Sequence, residues 1–181
     1  MQKQDHKVGA QINLIKLPSN TKFDFDFDQS TDWVRNILIE MNEKATDRTP
    51  EEHLQETFLK IQGHVEKKNK PELGEYLLVK GTISAEYDTE CVRTLQPMAM
   101  EMDLAFQVCF IDESLATTEM FEDTDETWLD NEVYELYFYN KRTINFLEML
   151  HEQIFLNYDQ YPVLDAESEL EGVVSVDDQK A

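Results

Sequence analysis

Between residues 59 and 110 hydrophobic side chains recur at every second position, and nothing else in the chain restricts its fold so tightly. Leu59, Ile61, Gly63 and Val65 alternate with Lys60, Gln62, His64 and Glu66. Leu77, Val79, Gly81, Ile83, Ala85 and Tyr87 continue the same period, and Met100, Met102, Leu104, Phe106, Val108 and Phe110 hold one face of a third stretch that begins near Ala99. Successive side chains of a strand point to opposite faces, so a period of two predicts strands with one buried face. Three such strands in succession, the first two joined by the turn-rich KKNKPELG (67–74), predict an antiparallel sheet.

The flanking segments add strands and two helices. KFDFDFD (22–28) alternates strictly and predicts a strand with Phe23, Phe25 and Phe27 inward, while QINLIKL (11–17) predicts an opening strand ended by Pro18. Ser30 and Thr31 offer N-caps, and Trp33, Ile37, Leu38 and Met41 recur at helical spacing, which predicts a helix over 32–45. ATDRTPEEH (45–53) reads as a polar connection. DESLATTEMFEDTDETWLDN (112–131), acidic and aperiodic, reads as a mobile loop. EVYELYFY (132–139) reads as a strand. Thr143 reads as the cap of a helix that presents Ile144, Leu147, Leu150 and Ile154 on one side and ends before Tyr161-Pro162. The expectation is one α+β domain over 11–164, built on an antiparallel β-sheet with barrel-like closure left open. Two main helices accompany it, with a flexible start at 1–10 and an acidic, disordered tail at 165–181.

Charge narrows the partners. Thirty-eight acidic residues face sixteen basic ones, a formal net charge of −22. From Thr94 to Asn140 there is no Lys or Arg and there are twelve Asp or Glu. Affinity for phosphates comes mainly from Lys and Arg, so general nucleic-acid binding is disfavoured and a basic partner is favoured. One exception is the basic group at the hairpin tip, Lys67, Lys68 and Lys70, with Lys60, His64 and Lys80 on the polar faces behind it. It reads either as a phosphate or RNA contact or as edge-protecting lysines on a solvated turn. Two cysteines make no disulfide framework, MQKQDHKVGAQ has no apolar signal region, and no stretch approaches a bilayer span. The expectation is a cytoplasmic protein without membrane contact.

Most catalytic and metal motifs fail on inspection. His151-Glu152 opens an H-E-x-x-H pattern, but Phe155 stands where the second histidine belongs. His6, His53 and His64 have no ligand spacing and are expected at the surface. DTDETWLDNEVY (123–134) lacks the glycine and the terminal glutamate of a calcium loop. Five glycines supply no phosphate-cradling loop, and no G-x-S-x-G occurs. The sequence points to no catalytic residue, no cofactor and no metal. TECVRTLQP (89–97) reads as a turn at a strand end, with Cys91 a small buried residue rather than a nucleophile.

Three stretches, in this order, resemble the bacterial YceD family, also called DUF177 or large ribosomal RNA subunit accumulation proteins. They are INLIKLPSNTKFDFDFD (12–28), LLVKGTISAEYDTECVRTLQPMAMEMDLAFQVCF (77–110) and INFLEMLHEQIFLNYDQYP (144–162). The family's motif falls on Gly81, Cys91, Arg93, Leu95 and Pro97, with Glu152 in the last helix. Thr94 departs from it by replacing a second cysteine, and no cysteine follows Pro162. Tetrahedral zinc needs about four ligands, so a zinc site is not expected here. The resemblance implies a non-enzymatic role in accumulation of large-subunit (23S) ribosomal RNA. With this charge it implies contact with a basic ribosomal protein or assembly factor, ribosomal RNA being reached indirectly. Arg93 is then expected either to tie the acidic strand 99–110 to its neighbour or to contact the partner.

Overall fold

The computed structural model describes residues 8–164. The expected tail at 165–181 and residues 1–7 of the expected flexible start lie outside the described residues. The elements run β1 (Gln11–Asn13), β2 (Lys22–Phe27), α1 (Asp32–Met41), α2 (Pro50–Glu56), β3 (Phe58–Lys70), β4 (Gly74–Glu90) and β5 (Pro97–Asp112). They continue as β6 (Glu126–Leu129), β7 (Glu132–Tyr139), β8 (Thr143–Asn145) and α3 (Phe146–Asn157). The fold is α+β. Six strands form an open sheet in the order β2-β3-β4-β5-β7-β6, which does not close into a barrel, and β1 pairs with β8 apart from it.

The alternation of the sequence is the sheet's inside-outside rule. Leu59, Ile61 and Val65 of β3, Val79 and Ile83 of β4, and Phe106, Val108 and Phe110 of β5 all face one core. Against it pack Val34, Ile37, Leu38 and Met41 of α1 and Phe146, Met149, Leu150 and Ile154 of α3. In register, Phe25 stands opposite Gly63, Gly63 opposite Gly81, and Gly81 opposite Phe106. The two glycines leave room for the two rings: a Cβ on Gly63 would lie 2.6 Å from Phe25, and one on Gly81 2.6 Å from Phe106. Two facing positions without side chains are thus covered by aromatics from the strands on either side.

The sheet departs from the expected antiparallel pattern at one seam, where β7 runs parallel to β5. The cause lies in residues 112–131, which carry a 3-10 turn at Glu113–Leu115 and the strand β6 where a structureless loop was expected. The chain crosses the sheet's far face, forms β6, and turns back through Asp130 and Asn131, both at positive φ (54° and 67°). That two-residue hairpin suits Asp and Asn, which tolerate left-handed backbone. Phe121 and Leu129 then join Leu73, Tyr76, Leu78, Cys109, Ile111, Tyr134 and Leu136 in a second core on that face. The burial of two isolated apolar residues explains why no period announced this segment.

Other boundaries differ locally. The first strand is short, because Asn13 caps a single 3-10 turn at Leu14–Lys16. Helix α1 ends at Met41 rather than 45. Thr143 lies in β8, and Asn145 is the true cap of α3, its side chain accepting from the Glu148 N–H. The connection at 45–53 contains most of an unexpected helix, α2. Its start carries a capping box in which Thr49 and Glu52 satisfy each other's backbone, with Pro50 in the first turn.

Candidate functional site

The family-like motif forms the connection from β4 to β5. Cys91 and Gln96 close the turn, the Cys91 N–H donating to the Gln96 carbonyl at 2.9 Å and the Leu95 N–H to the Cys91 carbonyl at 2.8 Å. Leu95 takes a left-handed backbone (φ 57°) and is 71% exposed, so core packing does not account for its side chain. Cys91 is fully buried beneath the segment that follows α3: the Val92 N–H donates to the Pro162 carbonyl and the Leu164 N–H to Cys91 Sγ. The Thr94 hydroxyl, standing where a second cysteine was missing, also reaches Cys91. That bond, followed by the one from the Leu164 N–H, outweighs desolvation and holds the thiol down to about 7. Pro97 opens β5, opposite Glu90.

Arg93 is exposed and makes no ion pair with the described residues. The tie to strand 99–110 is therefore not made within them. Glu152 is exposed on α3, where its carboxylate meets the Tyr137 hydroxyl; burial, with the neighbouring carboxylates of Glu135 and Glu152, pushes Tyr137 up.

Strand parity divides the basic group. The tip is only the three residues 71–73, since β3 runs to Lys70, so the lysines lie in the strand and not in a solvated turn at 67–74. Lys67 points into the molecule, buried, its ammonium donating to the Leu14 carbonyl (2.9 Å) and to Glu75 (3.3 Å). Lys60, Lys68, Lys70 and Lys80 share the opposite face of the sheet. Each meets a carboxylate there: Lys60 Asp26 at 3.9 Å, Lys68 and Lys70 Asp130 at 3.3 and 3.2 Å, and Lys80 Glu132 at 2.5 Å. Lys22, absent from the predicted group, lies at the edge of this face, and His64 pairs across from Lys80. Burial first, then Lys22, keeps the His64 ring below its ordinary pKa.

Sequence reasoning missed a polar cluster where α1, α2 and the end of β4 meet. His53, expected at the surface, is 1% exposed. Its Nδ1 lies 2.6 Å from Asp88 Oδ2, which also accepts from Arg48 Nη2 at 2.9 Å. Arg48 further binds Asp47 and Glu56. The buried Asn42 accepts from the Asp88 N–H and donates to Thr57, whose hydroxyl donates to the His53 carbonyl. His53 Nε2 has no hydrogen-bond partner, the nearest carboxylate being Asp47 at 3.7 Å. Above the cluster lies a cavity of about 500 Å³, lined among others by Ile39, Glu40, Glu43, Pro50 and His53. A second cavity of about 560 Å³, between α1 and α3, shares Asn36 and Glu40 with it. The signal for α2 was in the sequence, in T-P-E-E at 49–52; the pairing of His53 with a residue 35 positions away was not.

Among the described residues no helix is long and apolar enough to cross a membrane, and no three His, Cys, Asp or Glu side chains are grouped to hold a metal. Fold and surface define a small acidic α+β protein with an open sheet backed by helices on one face. The model of the YceD family, described as large ribosomal RNA subunit accumulation protein YceD, matches residues 79–180, more than half of the chain, and the chain belongs to that family. The match spans Gly81, the Cys91 turn and α3 with Glu152, and leaves the opening stretch 12–28 outside it. Comparison with curated proteins and with solved structures gives no match.

Proposed function

We propose that this chain supports accumulation of large-subunit ribosomal RNA as a cytoplasmic binding factor, engaging a basic ribosomal protein or assembly factor through its acidic surface. The observation that carries the reading is the state of the lysines. Of the five that offered a phosphate contact, Lys67 is buried and the other four each face a carboxylate. An RNA backbone would have to displace those carboxylates on a chain of net charge −22, whereas a basic protein meets the surplus of acid directly. The family's description supplies the link to ribosomal RNA.

A pulldown from cell lysate, with and without nuclease, tests this. Recovery of basic large-subunit proteins that survives nuclease is expected; loss of all ribosomal material on nuclease treatment overturns it. The alternative, a direct RNA-binding module, has one observation in its favour: Lys60, Lys68, Lys70 and Lys80 share one sheet face with Lys22 and His64. For that reading, exchanging Lys68 and Lys70 for glutamate abolishes recovery.

A further inference from the structure

We infer that the open edge of β6 is a docking strand for an extended basic segment of the partner, an assignment that rests on the reading of a basic protein partner. β6 ends the sheet order, so one side of its backbone has no neighbouring strand. The two-residue turn at Asp130 and Asn131 makes Leu129 and Glu132 the hydrogen-bonded pair beside the turn. Bonding then alternates to Thr127 with Tyr134 and on to Asp125 with Leu136, where the Leu136 N–H donates to the Asp125 carbonyl at 2.8 Å. The N–H and C=O groups of Glu126 and Trp128 therefore point away from β7, to the open edge. Among the described residues one contact meets them, the Thr124 hydroxyl donating to the Glu126 carbonyl at 3.0 Å. Such a row of unpaired backbone groups is a template for another strand.

The side chains along this edge select what the added strand carries. Glu126 and Trp128 stand two residues apart, on one face of β6, and Trp128 is 72% exposed. A lysine or arginine placed opposite either residue lies over the indole and beside the carboxylate. On the other face Leu129 shares the second core with Leu73 and Phe121, so the alternate residues of an added strand meet an apolar side. All four β6 residues line a groove of about 440 Å³ there, with Glu72 and Leu73 of the β3–β4 tip and the exposed Met120 of the crossover. The segment that fits alternates basic and apolar residues. Its surroundings are acidic: Glu119, Glu122, Asp123 and Asp125 are exposed, and no Lys or Arg occurs from Thr94 to Asn140. Lys70, the cation in the groove wall, is held by Asp130. A second copy of this chain would bring the same acids to the same edge, and like charges facing each other across strands are destabilising.

The test is an amide NMR titration of the full chain, reading the backbone and indole N–H signals of Trp128. The probe is acetyl-Val-Arg-Val-Arg-Val-amide. Its controls are the same peptide with glutamate for arginine, and the same peptide methylated at both arginine backbone nitrogens. An antiparallel added strand bonds to Trp128 and Glu126 through those two nitrogens, so methylation keeps the charge and removes the donors. A saturable shift of both signals is expected with the arginine peptide and none with the glutamate peptide. The methylated peptide should bind about tenfold more weakly, the equivalent of about one or two net backbone hydrogen bonds. Trp128→Ala, a change at an exposed side chain, should weaken binding several-fold when followed at the Glu126 amide, with the fold intact. An unmoved Trp128, or an equal response to the arginine peptide and either control, overturns the assignment. A Trp128 signal that shifts with protein concentration alone gives the edge to a second copy and also overturns it. If the edge fails while the lysate still yields basic ribosomal proteins, the partner reading stands and only its docking place is wrong. If Trp128 responds as expected while the lysate yields no basic protein, the edge assignment holds and the partner reading falls.

Discussion

At the residue scale the motif positions separate by what each side chain touches. Gly81 is retained for space: a Cβ there would lie 2.6 Å from the Gln62 carbonyl oxygen as well as from Phe106. Gly81→Ala should cost about 1–3 kcal/mol, as overpacking does in a set core, read from the midpoint of chemical denaturation. An unchanged midpoint would show that the ring moves aside freely. The cysteines should shape the pH profile in opposite senses. Burial pushes the Cys109 thiol up to about 12, so above pH 9 the unfolded chain loses that proton while the folded one keeps it. Stability should then fall by up to about 1.4 kcal/mol per pH unit between 9 and 12, a slope absent from Cys109→Ala. Cys91, held down to about 7, ionises first in the folded state, so it should add stability as pH rises from 7 to 9. Cys91→Ser should lose that rise. Arg93→Ala, which breaks no ion pair among the described residues, should leave melting unchanged and weaken partner recovery if the side chain is a contact. A large drop in melting temperature would return Arg93 to a structural role.

At the element scale the segment with the weakest local claim on stability is 42–57. Seven residues make a marginal helix, and α2 persists because its capping box closes one end and the Asp88–His53–Arg48 cluster holds its inner side. Thr49→Ala should cost about 1 kcal/mol and raise amide exchange across 50–56 while β3 and β4 stay protected. Uniform loss of protection would mean that α2 is part of the global unfolding unit. The β6–β7 hairpin has a comparable fastening in Asp130, whose carboxyl is held below its ordinary pKa by Lys70 and then Lys68. That contribution is present above the usual carboxylate range and lost as pH falls through the lowered value.

For the whole molecule, charge is what the fold leaves unbalanced. Lys67, Lys68, Lys70 and Lys80 all pair with carboxylates of their own chain, so the acid excess of a −22 chain acts as self-repulsion. Added salt screens that repulsion over a Debye length of about 8 Å at physiological strength. The melting temperature should therefore rise from low to physiological salt, while recovery of a basic partner weakens over the same range. A melting temperature that falls with salt would mean that the lysine–carboxylate pairs outweigh the surplus.

The sequence by itself determined strands β2 to β5 and β7, their inward faces and the two main helices, because those depend on a local period of two or of 3.6 that any one segment displays. It also determined the family, through Gly81, the Cys91 turn and α3. Tertiary structure alone decided which polar residues meet. Parity along β3 sent Lys67 inward and left Lys68 beside Asp130, a partner 62 positions away. The crossover of 112–131 made one seam parallel by burying Phe121 and Leu129, two apolar residues too isolated to form a pattern. His53 looked like any surface histidine until β4 brought Asp88 under it, since a single polar residue carries no period and its burial depends on a partner supplied from elsewhere in the chain.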